Sequence, residues 1–156
     1  MMMKLTTAQI GRCGELLVQY RLLAMGIESA PMSTDTGIDL VAYSPVTRLP
    51  FTVQVKTNLV AKPGGGKGAL ALDWWVPLNS PAQYVALVDM SESRIWILTH
   101  SELTKAAQQT PASGKLHIFM KMGASRQRKD GKPHEVGQLA QYLLENRVDG
   151  ILGKAA

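Results

Sequence analysis

Cysteine is almost absent from this chain of 156 residues, which contains only Cys13. A single cysteine excludes an internal disulfide and suits a reducing compartment. No apolar run approaches the roughly 18 to 20 residues that a membrane-spanning helix needs. The N-terminal segment 1–5 also lacks the long apolar core of a signal peptide. We therefore expect a cytoplasmic protein whose fold depends on its own hydrophobic core.

Acidic residues are also scarce, with 12 Asp and Glu against 17 Lys and Arg, a net charge of +5. Net charge alone is a weak indication of a polyanionic partner, because many basic proteins bind no nucleic acid. The distribution of the charge is more informative, since the basic side chains concentrate in segments 56–67 and 121–132. Solvated loops would explain either segment alone. Together they predict a nucleic-acid contact surface formed by Lys62, Lys67, Lys121, Arg126, Arg128, Lys129 and Lys132.

The length of the chain fits one domain over residues 1–156. Helices are predicted from Thr6 or Thr7 to Met25, from Thr99 to Gln109, and from Pro133 to Asn146. Strands are predicted at 27–31, 38–43, 51–57, 69–76, 84–88, 94–98 and 116–122, with a mobile loop at 58–68. Trp74 and Trp75 are interpreted as core residues. This order predicts an α/β (α+β) domain with one central mixed β-sheet flanked by helices.

Polar side chains interrupt the two neighbouring strands at 38–43 and 51–57. Asp39 opens the first strand, and Gln54 and Lys56 lie two residues apart on the second. Because strand side chains alternate, Gln54 and Lys56 face one side while Val53 and Val55 face the other. A carboxylate and an ammonium group in such strands are costly unless they are paired, solvated or bound to a metal. The pattern therefore indicates a chemical site.

Three elements in order, Gly14-Glu15-Leu16 on the first helix, Asp39, and Gln54-Val55-Lys56, resemble the PD-(D/E)XK nuclease superfamily. The resemblance covers about residues 10–60 and is greatest to Holliday junction resolvases and intron-encoded homing endonucleases, in which Gln at the third position is a known variant. It implies a restriction-endonuclease-like core, in which the 84–98 hairpin supplies further strands.

The resemblance also implies roles for these residues in the hydrolysis of DNA. The catalytic residues would be Glu15, Asp39, Gln54 and Lys56. Magnesium or manganese would be held by Asp39, the side-chain oxygen of Gln54 and the carbonyl of Val55, while Glu15 would hold a metal-bound water or a second cation. Lys56 would orient or deprotonate the attacking water, or stabilise the charge of the transition state.

Gln54 lacks the negative charge that a carboxylate would supply at this position. Three functions therefore stay open. The first is a metal-dependent endonuclease acting on branched or structured duplex DNA, expected as a homodimer because two strands need two sites. Its dimer face would be the 84–98 hairpin or the last helix. The second is a nucleic-acid-binding protein that keeps the nuclease scaffold with weak or no cleavage. The third is an interaction domain whose basic loops bind an acidic protein.

Overall fold

Residues 3–153 are described by the structure, which is a computed structural model. Short 3-10 segments lie at Gly64–Gly66 and Val136–Tyr142. The helices are α1 (Thr7–Ala24), α2 (His100–Ala106) and α3 (Leu144–Ile151), and the strands are β1 (Glu28–Pro31), β2 (Leu40–Tyr43), β3 (Pro50–Asn58), β4 (Lys62–Pro63), β5 (Leu70–Pro77), β6 (Tyr84–Asp89), β7 (Arg94–Thr99) and β8 (Lys115–Lys121). Within the described residues, no helix has both the length and the apolar character needed to cross a membrane.

The first helix begins and ends where its sequence signals lie. The Thr6 hydroxyl accepts a hydrogen bond from the Gln9 backbone N–H, and the Gln9 side chain accepts one from the Thr6 N–H, which forms a capping box. At the other end, Gly26 has a positive φ of 83°, a conformation that glycine adopts at low cost. The predicted helix is therefore confirmed, and it presents Val18 and Leu22 to the core.

A five-stranded sheet has the strand order β1-β2-β3-β6-β7. Its neighbours are antiparallel except for β3 and β6, which run parallel with Val53 opposite Tyr84. The β2–β3 pair and the β6–β7 hairpin were both expected from the sequence and are confirmed. The mixed sheet flanked by helices is the predicted fold class.

A second sheet of three antiparallel strands, in the order β4-β5-β8, corrects the expectation of a single sheet. Part of the predicted loop at 58–68 is the short strand β4. The physical reason lies in the alternation of β5, where Leu72, Trp74 and Val76 are buried while Asp73 and Trp75 are exposed. Such alternation is typical of an antiparallel sheet with one face in the core and one face in solvent.

The five-stranded sheet is covered on both faces. Val53, Val55 and Ile97 pack in one apolar cluster with residues of α1 and α3. Val85, Leu87 and Trp96 pack on the opposite face with residues of β5, β8 and α2. As a result β6 and β7 are buried throughout their central residues.

The C-terminal region differs from the single helix predicted over Pro133–Asn146. A 3-10 segment at Val136–Tyr142 is followed by a break at Leu143, whose ψ of 138° is extended, and α3 begins after it. Leu143 forms an isolated antiparallel bridge with Trp96 of β7. Pairing with the sheet thus interrupts the helix, an interaction that has no local sequence signal.

Candidate active site

Asp39 directly precedes β2, at the end where the pairing of β2 with β3 stops. Its backbone N–H donates to the Val53 carbonyl at 3.0 Å, and its Oδ2 accepts a hydrogen bond from the Val55 N–H at 2.6 Å. The paired residues of β2 and β3 reach only to Leu40 and Val53, so the carboxylate takes the place of a strand partner for Val55. Because the N–H and C=O of one strand residue point to the same side, the Val55 carbonyl is directed to the same gap as Asp39.

Glu15 reaches this gap from α1. It lines a pocket of about 170 Å³ together with Asp35 and Asp39 and with residues of the loop before β2. Its carboxylate is paired with Arg12 of the same helix, Nη1 to Oε2, at 2.7 Å. Glu15 and Asp39 therefore lie at one site although they are far apart in sequence.

The pKa of Asp39 is raised above its ordinary value of 3.8. Burial is the largest cause, and the negative charges of Glu15 and Asp35 add to it, whereas the Val55 hydrogen bond and the positive charge of Lys56 act in the opposite direction. Ionising Asp39 is thus less favourable than ionising a free aspartate, and a cation bound beside it would offset that cost. A concentration of acidic groups of this kind suits a cation-binding site.

Gln54 is buried, with only 5% of its surface exposed. Its side-chain oxygen Oε1 makes no hydrogen bond to any residue within 3–153. A buried amide oxygen without a partner costs about 1–3 kcal/mol, so a ligand at this atom would be stabilising. The amide group lies near Gly37, with its nitrogen 3.8 Å from where a Cβ of that residue would stand.

These donors fit a hard divalent cation. The carboxylate of Asp39, the unpartnered oxygen of Gln54 and the carbonyl of Val55 are oxygen ligands of the type that magnesium and manganese prefer. No group of three or more His, Cys, Asp and Glu side chains within 3–153 is arranged to hold a metal. The protein share of the coordination would therefore be small, which is usual for magnesium, whose remaining ligands are waters and phosphate oxygens.

Lys56 follows Val55 on β3 and is half-buried. It pairs in register with Leu87 of β6 and shares the face of Gln54. Its positive charge lowers the pKa of Asp39, so the two groups interact electrostatically. Lys56 thus lies on the strand that carries Gln54 and Val55, near enough to Asp39 to affect the pKa of that carboxyl.

The predicted basic residues occupy a different region from Asp39. Lys62 and Lys121 line a pocket of about 510 Å³ on the second sheet. Arg128 is paired with Asp130 at 2.7 Å, and Lys132 donates its Nζ to the Ala107 carbonyl at 2.6 Å. Lys67, Arg126 and Lys129 are exposed.

Asp130 carries the clearest electrostatic shift in the basic loop. The Arg128 guanidinium, assisted by the Lys132 backbone N–H, lowers the pKa of Asp130 to about 2. This acid is therefore ionised at neutral pH and neutralises part of the loop's charge. The exposed residues Arg126 and Lys129 remain the better candidates for phosphate contacts.

Asp35 was not among the site residues predicted from the sequence, but it belongs to the Asp39 pocket. It accepts a hydrogen bond from the Gly37 N–H in the turn before β2, and its negative charge adds to the raised pKa of Asp39.

One of the two tryptophans of β5 differs from its interpretation as a core residue. Trp74 is buried as expected, whereas Trp75 is 43% exposed. The alternation of apolar residues along β5 is the signal that distinguishes the two tryptophans.

No model of a known protein family matches the chain, and no curated protein matches its sequence. Among solved structures, the chain is similar to a bacterial homing endonuclease, I-Ssp6803I, at a TM-score of 0.62 and 19% identity, over 95% of this chain and 92% of that one. The chain is also similar to MepB, at a TM-score of 0.39 and 12% identity over 83% of this chain and 94% of MepB, a likeness too low to support an argument. The first match shows a shared fold, so the predicted nuclease-like architecture is confirmed. The PD-(D/E)XK subgroup remains a prediction.

Proposed function

We propose that this protein is a metal-dependent DNA endonuclease of the PD-(D/E)XK type, acting in the cytoplasm as one domain. The observation that carries the proposal is the gap between β2 and β3. There the Asp39 carboxylate, bonded to the Val55 N–H at 2.6 Å, is accompanied on β3 by Gln54, whose buried amide oxygen lacks a partner within 3–153. The fold shared with a homing endonuclease supports DNA as the substrate class.

The metal, magnesium or manganese, would be held by Asp39, Gln54 Oε1 and the Val55 carbonyl. When bound there, it would supply charge stabilisation at the scissile phosphate and a lowered pKa of the attacking water. Glu15 would hold a water or a second cation at the pocket edge, which would require its ion pair with Arg12 to open. Lys56 orients the attacking water, takes its proton, or donates to a phosphate oxygen as negative charge develops.

We further propose that the substrate is branched or otherwise structured duplex DNA and that the protein acts as a homodimer. Cutting both strands of a junction or duplex requires two sites. The β6–β7 hairpin has its central side chains buried on both faces, so it could contribute to a dimer through the outer edge of β7. Helix α1 offers exposed apolar side chains, because Leu16, Tyr20 and Leu23 lie at helical spacing on one stripe.

The competing proposal is a DNA-binding protein on the nuclease scaffold that cleaves weakly or not at all. The missing carboxylate at position 54 favours this competing proposal. A Gln54 amide turned to bulk solvent would favour it further. The Gln54 side chain is instead buried with an unpartnered oxygen, which supports the nuclease.

The deciding experiment measures nicking of supercoiled plasmid, linear duplex and a four-way junction across magnesium and manganese titrations. We expect cleavage that requires the metal, is fastest on the junction, and disappears in Asp39→Ala. The Arg48→Gln variant is the matched control, because Arg48 lies at the β2–β3 turn, at the opposite end of the strands from Asp39. Binding without cleavage of any substrate by wild type and by Gln54→Glu would establish the competing proposal.

A further inference from the structure

The solvent-facing side of the second sheet carries a pocket that the proposed catalytic site does not use. We propose that this face binds an unstacked base of a DNA strand in the pocket, with the flanking phosphates on Lys62 and Lys121. The inference rests on the proposed function only in taking DNA as the partner.

The pocket has a volume of about 510 Å³, within the range of small-molecule sites. Its floor is formed by the outward residues of two paired strands, with Ala71 opposite Lys121 and Asp73 opposite Phe119. The small side chain of Ala71 leaves room between the strands. Gly64, Gly65 and Gly68 form one wall, and Gly65 has a positive φ of 60°. Because glycine has no side chain, a planar ring can approach the backbone closely at these positions.

Aromatic side chains continue along the same face. Trp75 stacks on His117, with ring centroids 4.0 Å apart and an angle of 6° between the planes. His117 is held on both ring nitrogens, by Gln109 at 3.0 Å and Asp73 at 3.1 Å, and lies 5.9 Å from Phe119. The core does not require these rings, because Trp74 fills it from the other side of β5. A preformed row of rings at the surface favours stacking with a base.

The charges of this face complement a nucleic acid strand. Lys62 and Lys121 lie at one end of the pocket, and the Arg128 guanidinium lies 5.8 Å from the centre of the Phe119 ring. Asp73 is the one carboxylate that lines the pocket among the described residues. It could accept a hydrogen bond from an amino or imino N–H on the edge of a base, whereas the lysines would bind phosphate oxygens. Rings, cations and one acceptor together match a nucleotide better than an acidic peptide.

One hydrogen bond connects this face with the catalytic strand. Asn58 of β3 donates its Nδ2 to the Asp73 carbonyl of β5 at 2.6 Å. Asn58 lies two residues after Lys56, so this bond fixes the pocket floor relative to the β-strand that bears Lys56. DNA held in the pocket would thereby be positioned relative to the proposed catalytic site.

The test measures binding of a fluorescent single-stranded oligonucleotide without any divalent metal, so that cleavage plays no part. Phe119→Ala should weaken binding about ten- to hundredfold, and Phe119→Tyr, which keeps the ring, should restore it. Lys62→Ala with Lys121→Ala should weaken binding and reduce the slope of log affinity against log salt by about 1.4, at about 0.7 per phosphate contact on a single strand. Tyr43→Ala and Arg48→Gln, an exposed aromatic and an exposed cation at the β2–β3 turn, are the matched controls and should change nothing.

Trp75 provides a second measurement that needs no Phe119 variant. Of the three tryptophans, Trp74 and Trp96 are buried, so quenching by acrylamide reports mainly Trp75. The oligonucleotide should reduce the quenching of wild type by acrylamide. The Trp75→Phe variant gives the signal of Trp74 and Trp96 alone, against which this reduction is measured.

The inference is overturned if Phe119→Ala binds the oligonucleotide as the Tyr43→Ala control does, or if Trp75 stays equally accessible. It is also overturned if poly-glutamate displaces the oligonucleotide as well as unlabelled DNA does, since the face would then be a cationic surface for proteins. Wild type that cleaves DNA without dependence on Phe119 refutes this inference alone. Phe119-dependent binding without cleavage refutes only the nuclease.

Discussion

Gly14 of α1 packs directly against the side chain of Thr57 on β3. A Cβ at position 14 would overlap the Thr57 hydroxyl and approach its Cγ2 to 2.8 Å and its Cβ to 2.9 Å. The helix therefore lies as close to the strand as a glycine allows. This contact sets the distance between α1, which carries Glu15, and β3, which carries Gln54, Val55 and Lys56.

We expect Gly14→Ala to destabilise the fold by about 1–3 kcal/mol, because a tightly packed contact becomes overpacked. Cleavage should fall further than this loss of stability explains, since a displaced helix moves Glu15 away from Asp39. The matched control is Gly11→Ala, where an added Cβ meets nothing within 4 Å and should stabilise the helix by up to about 1 kcal/mol. Adding Thr57→Ala should rescue Gly14→Ala in part, and no rescue in denaturation curves would contradict the steric explanation.

Asp39→Asn should reduce cleavage by about a hundredfold or more while raising stability at neutral pH. The pKa of Asp39 in the folded protein lies above 3.8. Stability is therefore lost as the pH rises from 3.8 through this raised pKa, because the carboxyl ionises less readily in the folded protein. Asparagine removes this cost and keeps an oxygen that can accept from the Val55 N–H. Melting curves of both proteins should therefore separate near pH 7 and converge well below pH 3.8. Equal stability at both pH values would show that the carboxylate is not held unfavourably.

Gln54→Glu should bind magnesium more tightly and should retain or increase cleavage at low metal concentration, because it restores the carboxylate usual in the resembled family. Without metal the variant should be less stable than wild type by about 2 kcal/mol, since it places a second buried charge near Asp39. Melting temperature measured against magnesium concentration tests both statements. A variant that metal neither stabilises nor activates would argue against position 54 as a ligand.

The basic loop should contribute to DNA binding mainly through Arg126 and Lys129. Replacing both by alanine should reduce the slope of log affinity against log salt by about two, at about 0.9 per phosphate contact. Adding Arg128→Ala should have a smaller effect, because Arg128 is already paired with Asp130. Binding measured across a potassium chloride series, with Arg48→Gln as the control, checks that Arg126 and Lys129 contribute more than Arg128. A slope unchanged by the triple substitution would remove the loop from the interface.

The exposed stripe on α1 is the expected dimer surface, and Tyr20, 66% exposed, lies at its centre. Leu16→Glu with Tyr20→Glu should convert a dimer to a monomer in sedimentation measurements, because like charges would face each other across a twofold axis. Leu78→Glu, at another exposed leucine, is the control. A wild type that sediments as a monomer with and without DNA would refute the homodimer.

Local signals in the sequence were sufficient for several elements. A threonine cap at position 6 or 7 predicted the start of α1, and Thr99 with Glu102 three residues on predicted that of α2. The alternation of side chains and the turn residues predicted the β2–β3 and β6–β7 pairs. Because strand side chains alternate with a period of two, the sequence also determined that Gln54 and Lys56 share a face. The likeness of Glu15, Asp39 and Lys56 to a nuclease motif followed from residue type and order.

Only the tertiary structure decided the features that depend on contacts between distant segments. The pairing of β5 with β8 creates the second sheet, turns Trp75 and Phe119 outward and brings Lys62 near Lys121. The bridge between Leu143 and Trp96 breaks the predicted final helix, and burial by neighbouring elements raises the pKa of Asp39. Local propensity is a property of neighbours in sequence, whereas burial, charge clusters and strand partners arise when remote segments exclude water together.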